Sequence, residues 1–380
     1  MKAKDFQAKD VEGFKSWLEA NVGDDFRPTL AIVFSSLPDE IRTIGRYLQD
    51  HGVAVFGASS WGEFTRHGIE TGSIAILLLD VPQECFYLRL EPLEGGDEED
   101  VTRSVATEAL ARYRNPVIMA LISDLRTRGE AILETFEDVL GDDAELAGAG
   151  AGMPSVNDPS YVYTADAESS RGILTLVIDG DRIQMTSRAA CGWKAVGAPR
   201  TITRSEGQWV YEIDGVPALD ALLKYIGQED LDLDDPVNWE LEVNTLPLQL
   251  QRPHGDPIMR PALLYDKETR AIMCPGTMEE GAKVRFSIEP DGEVIDTVLE
   301  DFKRIKDDTG DVDAVVYFSC WGRYNSLGPA MNREIREAGK LFGVPMVGLL
   351  SSGEMARVTG GKLEYNALTS CCVLLKEVEG

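Results

Sequence analysis

Histidine is scarce in this 380-residue chain. There are three, His51, His67 and His254, and none has metal-ligand spacing. With so few, a Ser-His-Asp set cannot be assembled by argument, and neither a GxSxG nucleophile elbow nor a CxxCH haem-attachment sequence is present. The six cysteines form no CxxC pair and no framework spacing, which fits reduced thiols in the cytoplasm. Positive charge is short as well. Against 65 Asp and Glu stand 37 Lys and Arg, for a net charge of −28, which opposes nucleic acid as a partner and docking on anionic lipid. No apolar run reaches the roughly 18 residues a membrane span needs, so no insertion is expected. The N-terminal stretch MKAKDFQAKDVEGFKSW lacks the apolar core of a secretory signal.

What is present is a repeated plan. Apolar residues make up 43% of the chain and charged residues 27%, ordinary for a globular protein of two or three domains. Residues 10–22 have helical apolar spacing at Val11, Phe14, Trp17 and Leu18. The continuous apolar run TLAIVFSS (29–36) reads as a buried strand. A helix follows, with a Pro-Asp start and a stop at Gly52, and then a second strand, VAVFG. GSIAILLLD (72–80) adds another strand. The same order returns as NPVIMALISDL (115–125), GEAILETFEDVLGD (129–142), AELAGAGAGM (144–153) and RGILTLVIDG (171–180). It returns again as DAVVYFSCWGR (313–323), a helix at 327–343, VPMVGLLSSGE (344–354) and YNALTSCCVLLKE (365–377). Between the second and third copies the texture changes to alternating strands around the turn SEGQ, with further strands at 237–251 and 283–290. The acid runs at 94–101 and 227–236 read as exposed connectors. The expected fold is α/β, with duplicated β-α-β subdomains, mixed sheets and a β-rich central segment. The expected divisions are an N-terminal helix in 1–27, one domain in 28–218 and another in 219–380.

Two of the strand-ending loops share the pattern Gly-x-x-Ser-x-Gly-Glu: GASSWGE at 57–63 and GLLSSGE at 348–354. Gly-rich loops at the C-terminal ends of parallel strands are where α/β sheets hold ligands, and glycine lets backbone approach closely. Glu63 and Glu354 could each meet an amino group, or each cap a neighbouring N–H. Arg323, just past a strand, could clamp a carboxylate bidentately, so that with Glu354 it reads both ends of an amino acid. The alternative is an Arg–Glu salt bridge between loops. Ser351, Ser352, Gly353, Cys320, Trp321 and Asn366 complete this candidate site. Ser35, Ser36, Ser59, Ser60 and Glu63 form a second one, which lacks a cation. Asn366 and Thr369 could equally hold the loop, and Trp193 in CGWK could wall a pocket or pack in a core.

The ordered set LAIVFSS, VFGASSWGEF, GSIAILLLD, LAGAGAGM, CGWKAVGAP, AVVYFSCWGR, VPMVGLLSSGEM and YNALTSCCVLL resembles the FIST family, N domain followed by C domain, over roughly residues 28–377. The resemblance implies sensing rather than catalysis. Members are thought to bind small ligands, amino acids among those proposed, and a subset is associated with haem and nitric oxide. It implies a stand-alone cytoplasmic sensor whose output lies on a separate signalling protein. No cofactor is expected. A haem held by one distant His or by Cys320 is the alternative, as is a non-binding interaction scaffold.

Overall fold

A computed structural model describes the chain except residues 94–95, 124–126, 154–157, 235–238, 240–242, 244–245, 253–254, 289–290 and 379–380. The repeat is complete and occurs three times. Each unit runs strand, helix, strand, helix, strand, hairpin, strand. In the first unit the elements are Lys2–Ala8, Val11–Asn21, Leu30–Ser35, Pro38–Asp50, Ala54–Ser59, the hairpin Glu63–Thr65 with Gly68–Glu70, and Ile74–Asp80. In the second they are Phe86–Pro92, Glu98–Arg112, Pro116–Ile122, Gly129–Leu140, Leu146–Gly150, the hairpin Val162–Tyr163 with Glu168–Ser169, and Gly172–Asp179. The third begins with Ile183–Ala190 and resumes, after an insertion, at Glu293–Thr309. It then runs through Ala314–Cys320, Met331–Phe342, Met346–Ser351, the hairpin Glu354–Arg357 with Leu363–Asn366, and Ser370–Glu377.

Each unit builds one mixed six-stranded sheet. Its two central strands are parallel, as with Leu30–Ser35 and Ala54–Ser59, and the unit's last strand lies antiparallel beside the first of them. The hairpin does not stay at home. That of unit one pairs with Met346–Ser351 in the sheet of unit three. The hairpin of unit two pairs with Ala54–Ser59 of unit one, and that of unit three with Leu146–Gly150 of unit two. The exchange is therefore cyclic.

The central strands are apolar on both faces because both faces are covered. Alternate residues of all three sheets, among them Ile32, Phe34, Met119, Leu176, Val316 and Leu375, form one shared core. The opposite faces pack under each unit's pair of helices, through Val33 and Ile44, Ile118 and Phe136, and Val315 and Phe302. Each buried Leu or Phe of this kind contributes roughly 1.5–3 kcal/mol.

The β-rich segment is an insertion into unit three. Its strands, from Ala195–Glu206 to Lys283–Ser287, form an eight-stranded antiparallel sheet with Ala218–Ile226 packed on it through Leu219, Leu222 and Leu223. Of the strand expected at 237–251, Leu248–Leu250 is observed, and several of the other residues lie outside the described set. The first 27 residues hold a strand as well as the expected helix, and that strand pairs with Ile74–Asp80. The acid run at 94–101 is not wholly a connector. Glu98, Glu99 and Asp100 open the helix Glu98–Arg112, where carboxylates favour the positive end of the helix dipole.

Candidate functional site

The three strand-ending loops meet at one edge of the three sheets. The parallel registers align Gly57, Gly148 and Gly348 as equivalents. Counting on from these, the backbone N–H groups of Trp61, Gly152 and Ser352 occupy one position, and the carbonyls of Ser59, Gly150 and Leu350 another. Trp61 N donates to Leu350 O (3.2 Å), Gly152 N to Ser59 O (2.9 Å) and Ser352 N to Gly150 O (2.9 Å). Each loop thus bonds the next in a closed ring. A Cβ on Gly152 would come within 2.3 Å of Trp61 N, so the crowding at that position requires glycine.

The Ser–Glu pairs hold this ring from behind. Glu63 is fully buried. Its carboxyl contacts Ser60 Oγ (2.5 Å), Ser36 Oγ (3.1 Å), Ser73 Oγ (2.6 Å) and Ser73 N (2.9 Å). Glu354, also fully buried, contacts Ser351 Oγ (2.5 Å) and Thr369 Oγ1 (2.6 Å). Ser73 and Thr369 are equivalent residues, each just before its unit's last strand. Burial pushes both carboxyls up to about 7, while the hydroxyl and backbone donors pull the other way. These glutamates cap a turn and a strand start. In the second unit Ala151 stands where the others have Ser60 and Ser351.

The remaining candidates fall into two groups. Ser35 and Ser59 are buried and committed to backbone: Ser35 Oγ donates to Ser73 O (2.7 Å) and Ser59 Oγ to Gly152 O (2.6 Å). Asn366 Nδ2 donates to Ala356 O and Glu364 O, bracing the third hairpin. Gly353 lies just before that hairpin, between the strand ending at Ser351 and the one starting at Glu354, with φ 132°. Cys320 is buried, and its thiol is pushed up to about 12 by burial and then by the Glu354 carboxyl. Trp321, Ser352 and Ser36 are half-buried, and Ser36 Oγ accepts from Gly72 N (2.7 Å) besides meeting Glu63.

Arg323 requires a correction. It does not end a strand opposite Glu354. A helix begins at Trp321, and Arg323 turns inward, fully buried, onto Glu334 of the helix Met331–Phe342. Its Nε lies 3.2 and 3.3 Å from the two Glu334 oxygens, Nη1 donates to Cys191 O and Nη2 to Val294 O. Its guanidinium lies over the Trp193 ring (5.1 Å), and Trp193 packs with Met259, Val294 and Leu368. Glu334 also accepts from Tyr317 Oη (2.7 Å) and Ser370 Oγ (2.6 Å). An Arg323–Glu354 clamp on an amino acid is therefore not formed. A buried, paired guanidinium would cost several kcal/mol to strip from its partner.

The feature missed in the sequence is Trp61. Its ring stacks on Trp321 (5.0 Å, 9°), which stacks on Tyr324 (5.2 Å, 18°), and Trp61 Nε1 donates to Ser352 Oγ (3.1 Å). All three rings are half-buried. The only signal in the sequence was a large aromatic inside a loop of otherwise small residues. Surface concavities of about 610 and 370 Å³ lie elsewhere, at the N-terminal seam and beside the helix Pro38–Asp50. Charged groups lining them, Met1 with Glu377 and Arg42 with Glu168, are already paired. His51 Nδ1 contacts Tyr47 O, His67 accepts from Arg336 through its carbonyl, and His254 lies outside the described residues. Among the described residues no group of three His, Cys, Asp or Glu is placed to hold a metal, and no helix is long and apolar enough to cross a membrane.

The family model for the FIST N domain matches residues 29–216, and that for the FIST C domain matches 218–357. The chain belongs to the FIST family. FIST domains are sensory domains of signal transduction thought to bind small ligands. A search of curated proteins gave no match. Among solved structures, a cyanuric acid hydrolase from A. caulinodans aligns with 100% of this chain and 99% of its own, at 8% identity and a TM-score of 0.39. A likeness that low carries no argument about activity.

Proposed function

We propose that this FIST protein is a small-ligand sensor that binds its ligand where the three loops meet, against the column Trp61–Trp321–Tyr324 and beside the hydroxyl of Ser352. The observation that carries the proposal is the column itself: three half-buried aromatic rings gathered from two units at the C-terminal edge of parallel strands. Flat aromatic faces beside a hydroxyl suit a ligand that is part apolar and part polar.

An amino acid is the ligand class to test first. With Arg323 committed to Glu334, stacking would supply most of the affinity, which favours an aromatic or large apolar side chain over an acidic one. Ser60 and Ser351 donate to buried carboxyls rather than to a histidine base, so no catalytic step is assigned to them. We read the protein as cytoplasmic, supported by six free thiols, with its response read by a separate signalling protein.

The test is thermal unfolding of the full chain against the twenty amino acids, with haem as one further well. A ligand at about 100 times its Kd adds about 2.7 kcal/mol of stability. A shift with one side-chain class that Trp61→Ala and Trp321→Ala abolish supports the reading. A shift with haem alone replaces it by the gas-sensor alternative. No shift in any well leaves a scaffold.

A further inference from the structure

The inserted sheet has its own apolar core, built on Ile202, Val210, Leu222, Ile272 and Val284. Its apolar contact with the three-sheet body is small, a cluster of Trp193, Met259, Val294 and Leu368 with Cys191 and Leu327 at its edge. Among the described residues the rest of the seam is polar, with Asp256 N donating to Thr359 O and two ion pairs crossing it. Arg260, 2% exposed, pairs with Glu130 (2.6 Å), whose other oxygen accepts from Thr277 N (2.7 Å); Arg252 pairs with Glu364. Polar seams of limited apolar area let two bodies move relative to each other, and buried ion pairs offer discrete rather than graded seatings.

Both connections of this seam lead to the aromatic column in one or two residues. Arg323 binds the carbonyls of Cys191 and Val294, the two chain passages into and out of the insertion. Arg323 lies in the same short helix as Trp321 and Tyr324. On the other side Arg260 Nη1 donates to Tyr365 O (3.0 Å), Tyr365 Oη donates to Ser352 O (3.0 Å), and Ser352 Oγ takes the Trp61 indole N–H. Tyr365 has no slack. A Cβ on Gly353 would lie 2.5 Å from its hydroxyl, and one on Gly129 2.5 Å from its ring.

We propose that the insertion is a hinged body whose seating on the three-sheet body is coupled to the aromatic column through Arg323 and Tyr365, so that it is the part of the molecule that reports the state of the site. It rests on the small-ligand reading only in taking the column as the input.

Hydrogen–deuterium exchange of the full chain, without ligand, tests the coupling, so its failure is separate from failure of the sensor reading. Two variants are compared with wild type: Trp61→Phe, which removes the indole N–H, and Tyr365→Phe, which removes one hydroxyl and keeps the ring. Each loses one hydrogen bond near the ring of loops, enough to speed linked openings about three- to tenfold. The expected result is that acceleration at the seam strand Ile258–Arg260, while Trp209–Ile213 inside the insertion and the central strands Leu30–Ser35 and Ala314–Cys320 stay unchanged. Acceleration confined to residues 57–63 and 348–354 overturns the proposal. So does uniform acceleration of all strands, which would mark the two residues as ordinary contributors to stability.

Discussion

Replacing Glu354 by Gln should change how stability depends on pH. Gln keeps the shape of the neutral carboxyl and cannot ionise. The folded state holds the Glu354 carboxyl at about 7, with burial the cause, against an unfolded value near 4.5. A raised value means that folding favours the protonated form. The stability tied to that proton is fully present below pH 4.5 and is lost as the pH rises through 7. The gap of about 2.5 pK units corresponds to about 3 kcal/mol at roughly 1.4 kcal/mol per unit, most of it lost between pH 5 and 8. Arg323, Cys320, Tyr365 and Cys371 are the titratable groups that share its field, and the Arg323 charge partly offsets the rise. Urea unfolding of both proteins, followed by tryptophan fluorescence at pH 5 and pH 8, measures the effect. Taking the difference between the two proteins cancels the general repulsion of a chain of net charge −28. Wild type should lose roughly 2–3 kcal/mol more than E354Q across that interval. Parallel pH dependences would refute the assignment of Glu354 as a carboxyl held in its neutral form by burial.

Other perturbations have distinct signatures. Glu63→Gln should repeat the pH effect, because its carboxyl is raised to the same value by the same cause. Arg323→Met strands the Glu334 carboxylate and should cost about 3–5 kcal/mol in urea unfolding, while Arg323→Met with Glu334→Leu should recover a large part of it. Gly152→Ala forces a methyl to within 2.3 Å of Trp61 N and should lower stability by about 1–3 kcal/mol, seen as a lower melting temperature. Ser351→Ala removes a donor from buried Glu354 and should cost about 1–3 kcal/mol, with the larger loss at pH 8, where the carboxylate needs that donor.

Local pattern made much of this protein legible. Within the apolar runs, Leu30–Ser35 and Pro116–Ile122 are strands because a fully covered strand must be apolar throughout, and the order strand, helix, strand survives in all three units. The helix Glu98–Arg112 was hidden because its buried face is made of Thr102, Val105, Ala106 and Ala109, too small to announce itself among acids and arginines. Hairpin exchange was hidden for another reason: a strand such as Glu63–Thr65 carries no mark of which sheet it joins. The Ser–Glu motif leaves the role of its carboxylate open, since one that caps a backbone N–H and one that binds an amine share a residue type; in the fold both glutamates accept from hydroxyls. The place of Arg323 is not legible in the sequence because a strand ending at Cys320 and a helix starting at Trp321 leave no breaker between them. Trp61 carried its signal in size alone.

The cyclic exchange of hairpins bears on how the chain is made. Unit one's sheet waits for residues 162–169, and unit two's waits for residues 354–366, synthesised some two hundred residues later. Emerging from the ribosome, the second sheet has an unpaired edge at Leu146–Gly150 until almost the whole chain is out. Such an edge is a template for misassociation, and closing it last makes folding slow and dependent on long-range contact. A fragment ending at residue 216, the boundary of the N-domain match, would keep that edge open for good. The line that divides the family's two domains is thus not a line along which the protein can be cut.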